Sequence, residues 1–203
     1  MDMIIKQTGD VAQDTKKYII DTARRLFSDY SYLGVSMSDI AKKLNITKAA
    51  LYYHFTGKAE IYEKVLDDVF NDLSLSIAEA SNEVTIDKKL HKLIKNYLDF
   101  GFKEKNLIKA LMLKLSPADD QITKHIAQLR ERVVSLIQPV IEEAFTSKKL
   151  TKKVDVRLLT SLLTSTIDGL LLEYSFLNKK INSAKMSDQI IALLFKRSKV
   201  NPL

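Results

Sequence analysis

Apolar residues return along most of this chain at intervals of three and four, the period of a helix that buries one side. The first such run, Ile19, Ala23, Leu26, Phe27 and Tyr30, predicts a helix beginning near Asp14 or Thr15. Ser36 and Asp39 then stand three apart, the spacing of a capping box, in which the hydroxyl meets a free backbone N–H and the acid reaches back. Val35 and Ile40 flank that box at the positions of a hydrophobic staple. This second helix ends at Leu44, because Asn45 tolerates the left-handed conformation of a sharp turn. Thr47 caps a third helix, with Ile46 and Leu51 repeating the staple. Two capped helices one short turn apart predict a helix-turn-helix. Gly57 and Glu60 open a fourth helix, which runs without a breaker to about Ala80. Beyond it the pattern predicts helices at about 86–103, 105–114, 117–147, 153–178 and 185–197. Ser116, Pro117 and Asp119 mark the start of the third of these, and Pro139 inside it predicts a kink.

The predicted fold is therefore all-α: a small N-terminal three-helix head on a larger helical body, divided as residues 13–73 and 74–203, with no internal repeat. Five glycines and three prolines among 203 residues leave too few turn formers for a β architecture. The absence of cysteine removes disulfides, zinc–thiolate sites and thiol catalysis. None of the three histidines stands in a Glu-x-x-His pair, the spacing of a carboxylate-bridged metal pair, and His91 and His125 are isolated in sequence. No metal, cofactor or catalytic residue is expected. Met1-Asp2-Met3-Ile4-Ile5-Lys6 does not read as a signal peptide. The most apolar stretch, Leu158 to Leu172, is too interrupted by hydroxyls and Asp168 to cross a membrane, so a cytoplasmic protein without membrane contact is expected. A net charge of +7 and a pI near 9.3 favour a polyanionic partner.

That charge is concentrated where the helix-turn-helix lies. From Ala41 to Lys58 there are four lysines (Lys42, Lys43, Lys48, Lys58) and no acid. Lysines and helix N-termini supply the phosphate contacts that dominate affinity for DNA. On a wheel of about 100° per residue, Phe55 falls beside Leu51, whereas Ala49 and Tyr53 fall on the opposite side. The outward face thus carries a small residue, an aromatic and a leading lysine, a set that fits a major groove. Lys42 and Lys43 read as a solvated face with a general pull on DNA.

The segment from about Thr15 to Tyr62 resembles the DNA-binding domain of TetR-family transcriptional regulators. The resemblance rests on Ile19, Ala23, Leu26-Phe27, Tyr32, Ser36, Asp39-Ile40-Ala41, Ile46-Thr47, the run Leu51-Tyr52-Tyr53-His54-Phe55, and Lys58. It implies that Ser36, Thr47, Tyr52, His54 and Lys58 meet phosphates, and that Lys48, Ala49 and Tyr53 approach base edges. Glycine is favoured in the family where Ser31 and Asn45 stand, so Ser31 needs either a positive φ or a different loop. Ala59 replaces a frequent glutamate, whose capping role falls to Glu60.

The resemblance further implies that residues 74–203 bind an effector and dimerise, the faces near 155–178 and 185–197 pairing across a two-fold axis. The expected protein is a homodimeric repressor, released from palindromic double-stranded operator DNA by a small-molecule effector yet to be identified. Tyr97, Phe100, Met112, Thr166 and Asp168 are the candidate pocket residues. Thr164, Ser165, Thr166 and Asp168 interrupt an apolar run, and lie either on a solvated or dimer-rim face or toward a ligand cavity. Two other classes compete: a ligand-independent architectural DNA binder, and an enzyme on a helical bundle, for which no nucleophile–base pair or paired carboxylates appear.

Overall fold

The computed structural model describes residues 2–113, 120–147 and 155–195, with side chains for 13–109, 120–147 and 155–194. Among them the order is α1 (Asp2–Tyr30), α2 (Met37–Leu44), α3 (Lys48–His54), α4 (Lys58–Ala78), a single 3-10 turn (Glu79–Asn82), α5 (Ile86–Lys103), α6 (Lys105–Leu113), α7 (Asp120–Ser147), α8 (Val156–Phe176) and α9 (Ser183–Phe195). No strand occurs among the described residues. Packing divides the chain into two compact units, Met1–Val69 with Asn106–Ile126, and Phe70–Lys105 with Ala127–Leu203.

The predicted helix ends mostly hold, with three differences. Helix α1 reaches back to Asp2 rather than to Asp14 or Thr15; the single Gly9 weakens a helix without ending it. Helix α9 begins at Ser183 because Asn182 caps it, accepting the Lys185 N–H at 3.0 Å. Helix α8 is capped by Asp155, which accepts from Arg157 and Leu158. Ser116, Pro117 and Asp119 lie outside the described residues. Helix α7 continues through Pro139, although proline offers no N–H to the carbonyl one turn back.

In the first unit, Ile19, Ala23 and Phe27 of α1, Ile40 and Leu44 of α2, Leu51 of α3, and Ile61, Tyr62 and Val65 of α4 are all buried, with α2 packed on both α1 and α3. Tyr62 stacks edge-on against Phe27 at 4.8 Å and lies 4.7 Å from Tyr32, an aromatic centre for the head. Burial pushes the Tyr62 phenol well above its ordinary pKa. The chain leaves α1 through Ser31, which takes the left-handed conformation at φ 64°. That choice is strained for an L-residue, and the Ser31 hydroxyl is buried with no hydrogen-bond partner among the described residues. Ser31→Gly is therefore expected to stabilise the protein by about 1 kcal/mol, read as a higher midpoint in chemical denaturation.

The second unit has its own core. Leu90, Leu93, Ile94 and Leu98 of α5, Ile137, Ile141 and Ala144 of α7, and Leu163, Ile167 and Leu171 of α8 are buried in it, and α5 packs along α8. Gly101 brings α5 hard against α8: a Cβ there would stand 2.1 Å from a Leu171 methyl.

Candidate functional site

The turn between α2 and α3 is set by three short-range devices. Ser36 and Asp39 form the capping box, with the Ser36 backbone N–H and hydroxyl both donating to Asp39 Oδ2, at 2.8 and 2.6 Å. Those two donors hold the Asp39 carboxyl below its ordinary value. At the other end Asn45 takes φ 55°; its N–H reaches the Lys42 carbonyl, and the Ile46 N–H reaches that of Ala41. This is the Schellman closure, which satisfies the last carbonyls of a helix. Thr47 then caps α3, its hydroxyl accepting the Ala50 N–H at 3.1 Å.

Helix α3 has seven residues and one buried side chain of its own, Leu51. Phe55, just past its end, is buried too. Ala49, Ala50 and Lys48 are exposed, Tyr52 is 47% exposed and Tyr53 86%. The tyrosine with the least packing thus stands where the wheel places a groove-facing residue. His54 is half-buried, its ring edge-on to Tyr53 at 5.2 Å. The Lys48 ammonium hovers 5.9 Å from the Tyr52 ring. Ser36, Thr47, Lys42 and Lys43 are exposed on α2 and at the caps.

Lys58 departs from a simple surface cation. Its Nζ donates to the Tyr32 carbonyl at 2.9 Å and lies 4.2 Å from the Tyr32 ring. It therefore ties the start of α4 to the loop that enters α2, a role the sequence did not signal. Glu60 takes up the capping work beside it, accepting the Thr56 N–H and hydroxyl, both at 2.7 Å. These bonds lower the Glu60 carboxyl as well.

Each of the two carboxyls is lowered by folding, so each adds stability that is complete above its free value (3.8 for Asp39, 4.5 for Glu60). That contribution disappears as pH falls through the lower folded value. The guanidinium unfolding midpoint is expected to drop in that acid window, and the drop to be shallower in D39N/E60Q.

In the second unit the predicted pocket residues separate. Tyr97 and Asp168 come together, the phenol donating to Asp168 Oδ1 at 2.9 Å. Arg130, which sequence reasoning did not single out, donates to the other oxygen of Asp168 and, at 3.2 Å, to the Ser165 hydroxyl. Burial, reinforced by the Asp168 charge, raises the Tyr97 phenol well above its ordinary pKa. Phe100 is half-buried. Thr166 is exposed and returns its hydroxyl to the Leu162 carbonyl. Met112, on α6, falls in the segment grouped with the first unit, and its side chain lies outside the described residues. The other polar interruptions are not all solvated: Thr160 and Thr164 are buried, and each bonds a carbonyl of its own helix. A groove of about 770 Å³ opens between α5 and α9, lined by Lys88, His91, Lys92, Lys95, Asp188 and Ile191 among others, and by none of the predicted wall residues. His91 and His125, isolated in sequence, each meet a carboxylate, Asp188 at 3.4 Å and Asp67 at 3.0 Å.

Comparison with known proteins adds a second line of support. A family model described as bacterial regulatory proteins of the tetR family matches residues 19–65, and one described as the C-terminal region of YsiA-like protein matches residues 62–197. Over 56 residues the chain is 50% identical to the biofilm operon icaADBC HTH-type negative transcriptional regulator IcaR of Staphylococcus epidermidis, spanning 28% of this chain and 30% of that protein. It is 32% identical over 140 residues to the IcaR regulator of Staphylococcus aureus, spanning 68% of this chain and 74% of that one. Its fold resembles that of the transcriptional regulator FadR from Bacillus subtilis, solved in complex with stearoyl-CoA, at a TM-score of 0.76 and 20% identity over 88% of this chain and 96% of that one.

Proposed function

From a chain that belongs to the TetR family of bacterial regulatory proteins, and is a DNA-binding transcriptional regulator rather than an enzyme, we propose a homodimeric repressor that leaves a palindromic operator when a small ligand binds its helical body. The observation that carries this reading is the division of labour on α3, with Leu51 and Phe55 buried and Tyr53 almost wholly exposed. Lys48, Ala49 and Tyr53 read base edges, while Ser36, Thr47, Tyr52, His54 and Lys58 meet phosphates. Residues 13–73 supply the head, and residues 74–203 bind the effector and dimerise. The negative regulation for which the staphylococcal relatives are named supports repression, and the stearoyl-CoA bound by the Bacillus protein supports a ligand-responsive body. Its place of action is the bacterial cytoplasm, where the DNA is; among the described residues no helix is long and apolar enough to cross a membrane.

Dimerisation is supported by large apolar side chains that stand partly open to solvent in the subunit. Leu158, Leu162 and Phe176 of α8 and Leu193 of α9 are about half or more exposed. Gly169, on the same helix as the first three, has open space where a Cβ would be. A mid-helix glycine costs stability relative to alanine, and nothing among the described residues requires it. A second copy packed across α8 accounts for both features. Leu162→Glu is expected to give a folded monomer whose operator affinity falls by about 10²–10⁴-fold, the loss of joint engagement by two heads.

The test is fluorescence anisotropy with DNA from upstream of the protein's own gene against a shuffled fragment, across a salt series. The repressor reading expects about 10³-fold preference or more, falling steeply with salt. Equal affinity for both fragments, with that loss of affinity absent in Leu162→Glu, supports the architectural DNA binder instead.

A further inference from the structure

We propose that Arg130 anchors the carboxylate or phosphate of an anionic effector, and that Asp168 holds its place in the unliganded subunit. This rests on the reading of the second unit as the effector-binding part, and names the chemistry it selects. The Asp168 carboxylate already behaves as a bound oxyanion: one oxygen faces the Arg130 guanidinium and the other accepts from Tyr97. A fork of guanidinium donors matches a planar two-oxygen acceptor better than any neutral group.

Exposure decides from which side a solute arrives. The Arg130 side chain is 44% exposed and that of Asp168 only 17%, so an incoming molecule meets the cation first. Tyr97 is buried, 6% exposed, and cannot follow Asp168 outward. A neutral ligand that displaced Asp168 would leave a buried phenol or a guanidinium without an acceptor, a costly arrangement. An oxyanion satisfies both, and frees Asp168 to turn into water.

The exchange also reaches the helices. Arg130, Asp168 and Tyr97 stand on α7, α8 and α5, so replacing Asp168 removes a polar tie of α8 to the other two. Helix α7 belongs to both units. In the first unit its Gln121 donates to Glu63 at 2.7 Å, and its His125 ring lies 3.0 Å from Asp67, both acids on α4. The helix that would feel the anion is thus the one that grips the helix following the DNA-reading segment.

Calorimetry on the full chain without DNA tests the proposal, using octanoate and octyl phosphate, with octanol and octylammonium as neutral and cationic counterparts. The shared eight-carbon tail leaves the head group as the only variable. Because Asp168 competes for Arg130, Asp168→Asn should bind the anions about tenfold more tightly than the wild type, within the usual range of coupling. Arg130→Gln should lose them, and Arg130→Lys should keep part of the affinity; circular dichroism confirms that each variant is folded. An ion pair that serves structure alone predicts none of these changes. Absence of anion binding in Asp168→Asn, or equal binding in Arg130→Gln, overturns the proposal. So does octylammonium binding that is lost in Asp168→Asn, which assigns the site to cations. Anion binding that follows this pattern, in a protein without operator preference, upholds the anion site and overturns the repressor reading alone.

Discussion

Replacing Tyr53 with alanine is expected to weaken operator binding by about ten- to a hundredfold and to leave the thermal midpoint nearly unchanged. The asymmetry follows from exposure. Tyr53 is 86% exposed, its ring edge-on to His54, so its removal opens no cavity, and surface substitutions of that kind rarely move stability by more than about 0.5 kcal/mol. What is lost, on the proposed reading of α3, is a large, rigid aromatic surface presented to the groove. Leu51→Ala gives the opposite signature: Leu51 is fully buried, and its truncation costs about 2–5 kcal/mol and lowers affinity only through unfolding. Thermal melts and anisotropy on the same two variants separate the roles. Equal affinity of Tyr53→Ala and wild type for the operator would remove Tyr53 from the interface.

Gly34→Ala is the second large effect, and it acts on the fold. A Cβ at position 34 would stand 2.1 Å from the Tyr30 carbonyl oxygen, a backbone atom at the end of α1 that cannot rotate aside. Either the end of α1 or the approach to Ser36 must move. Overpacking of this kind costs typically 1–3 kcal/mol, and a rigid neighbour places Gly34 at the upper end. For a small domain that is a loss of roughly 10 °C or more in thermal midpoint. Ser31→Gly, three residues earlier in the same loop, is expected to move the midpoint upward. The pair shows that this loop uses glycine where the backbone is crowded and a serine where glycine would be easier.

Local signals in the sequence were enough to locate the head. Ser36 with Asp39, Asn45 and Thr47 act through hydrogen bonds within three or four residues, so their types and spacing predicted the turn that the structure shows. The inward set of Leu51 and Phe55 and the outward set of Ala49 and Tyr53 followed from helical period alone. Contacts made across long stretches of chain were not legible. Lys58 reaches back to Tyr32, and Arg130 to Asp168, through separations that no periodicity encodes. Asp168 stood out as a polar interruption of an apolar run and Tyr97 as a candidate wall aromatic, but their pairing depended on how α5 and α8 pack. The early start of α1 was hidden for another reason: the apolar period fades before Thr15, whereas the backbone continues.

Since α3 keeps its inward and outward duties on different residues, mutation can rewrite one set without eroding the other. On the proposed division of roles, a duplicated gene that changes Lys48, Ala49 or Tyr53 would yield a daughter regulator with a new chromosomal address and an inherited scaffold. Divergence of target sequence is then a walk along a nearly flat stability landscape, open to lineages that need many switches of one design.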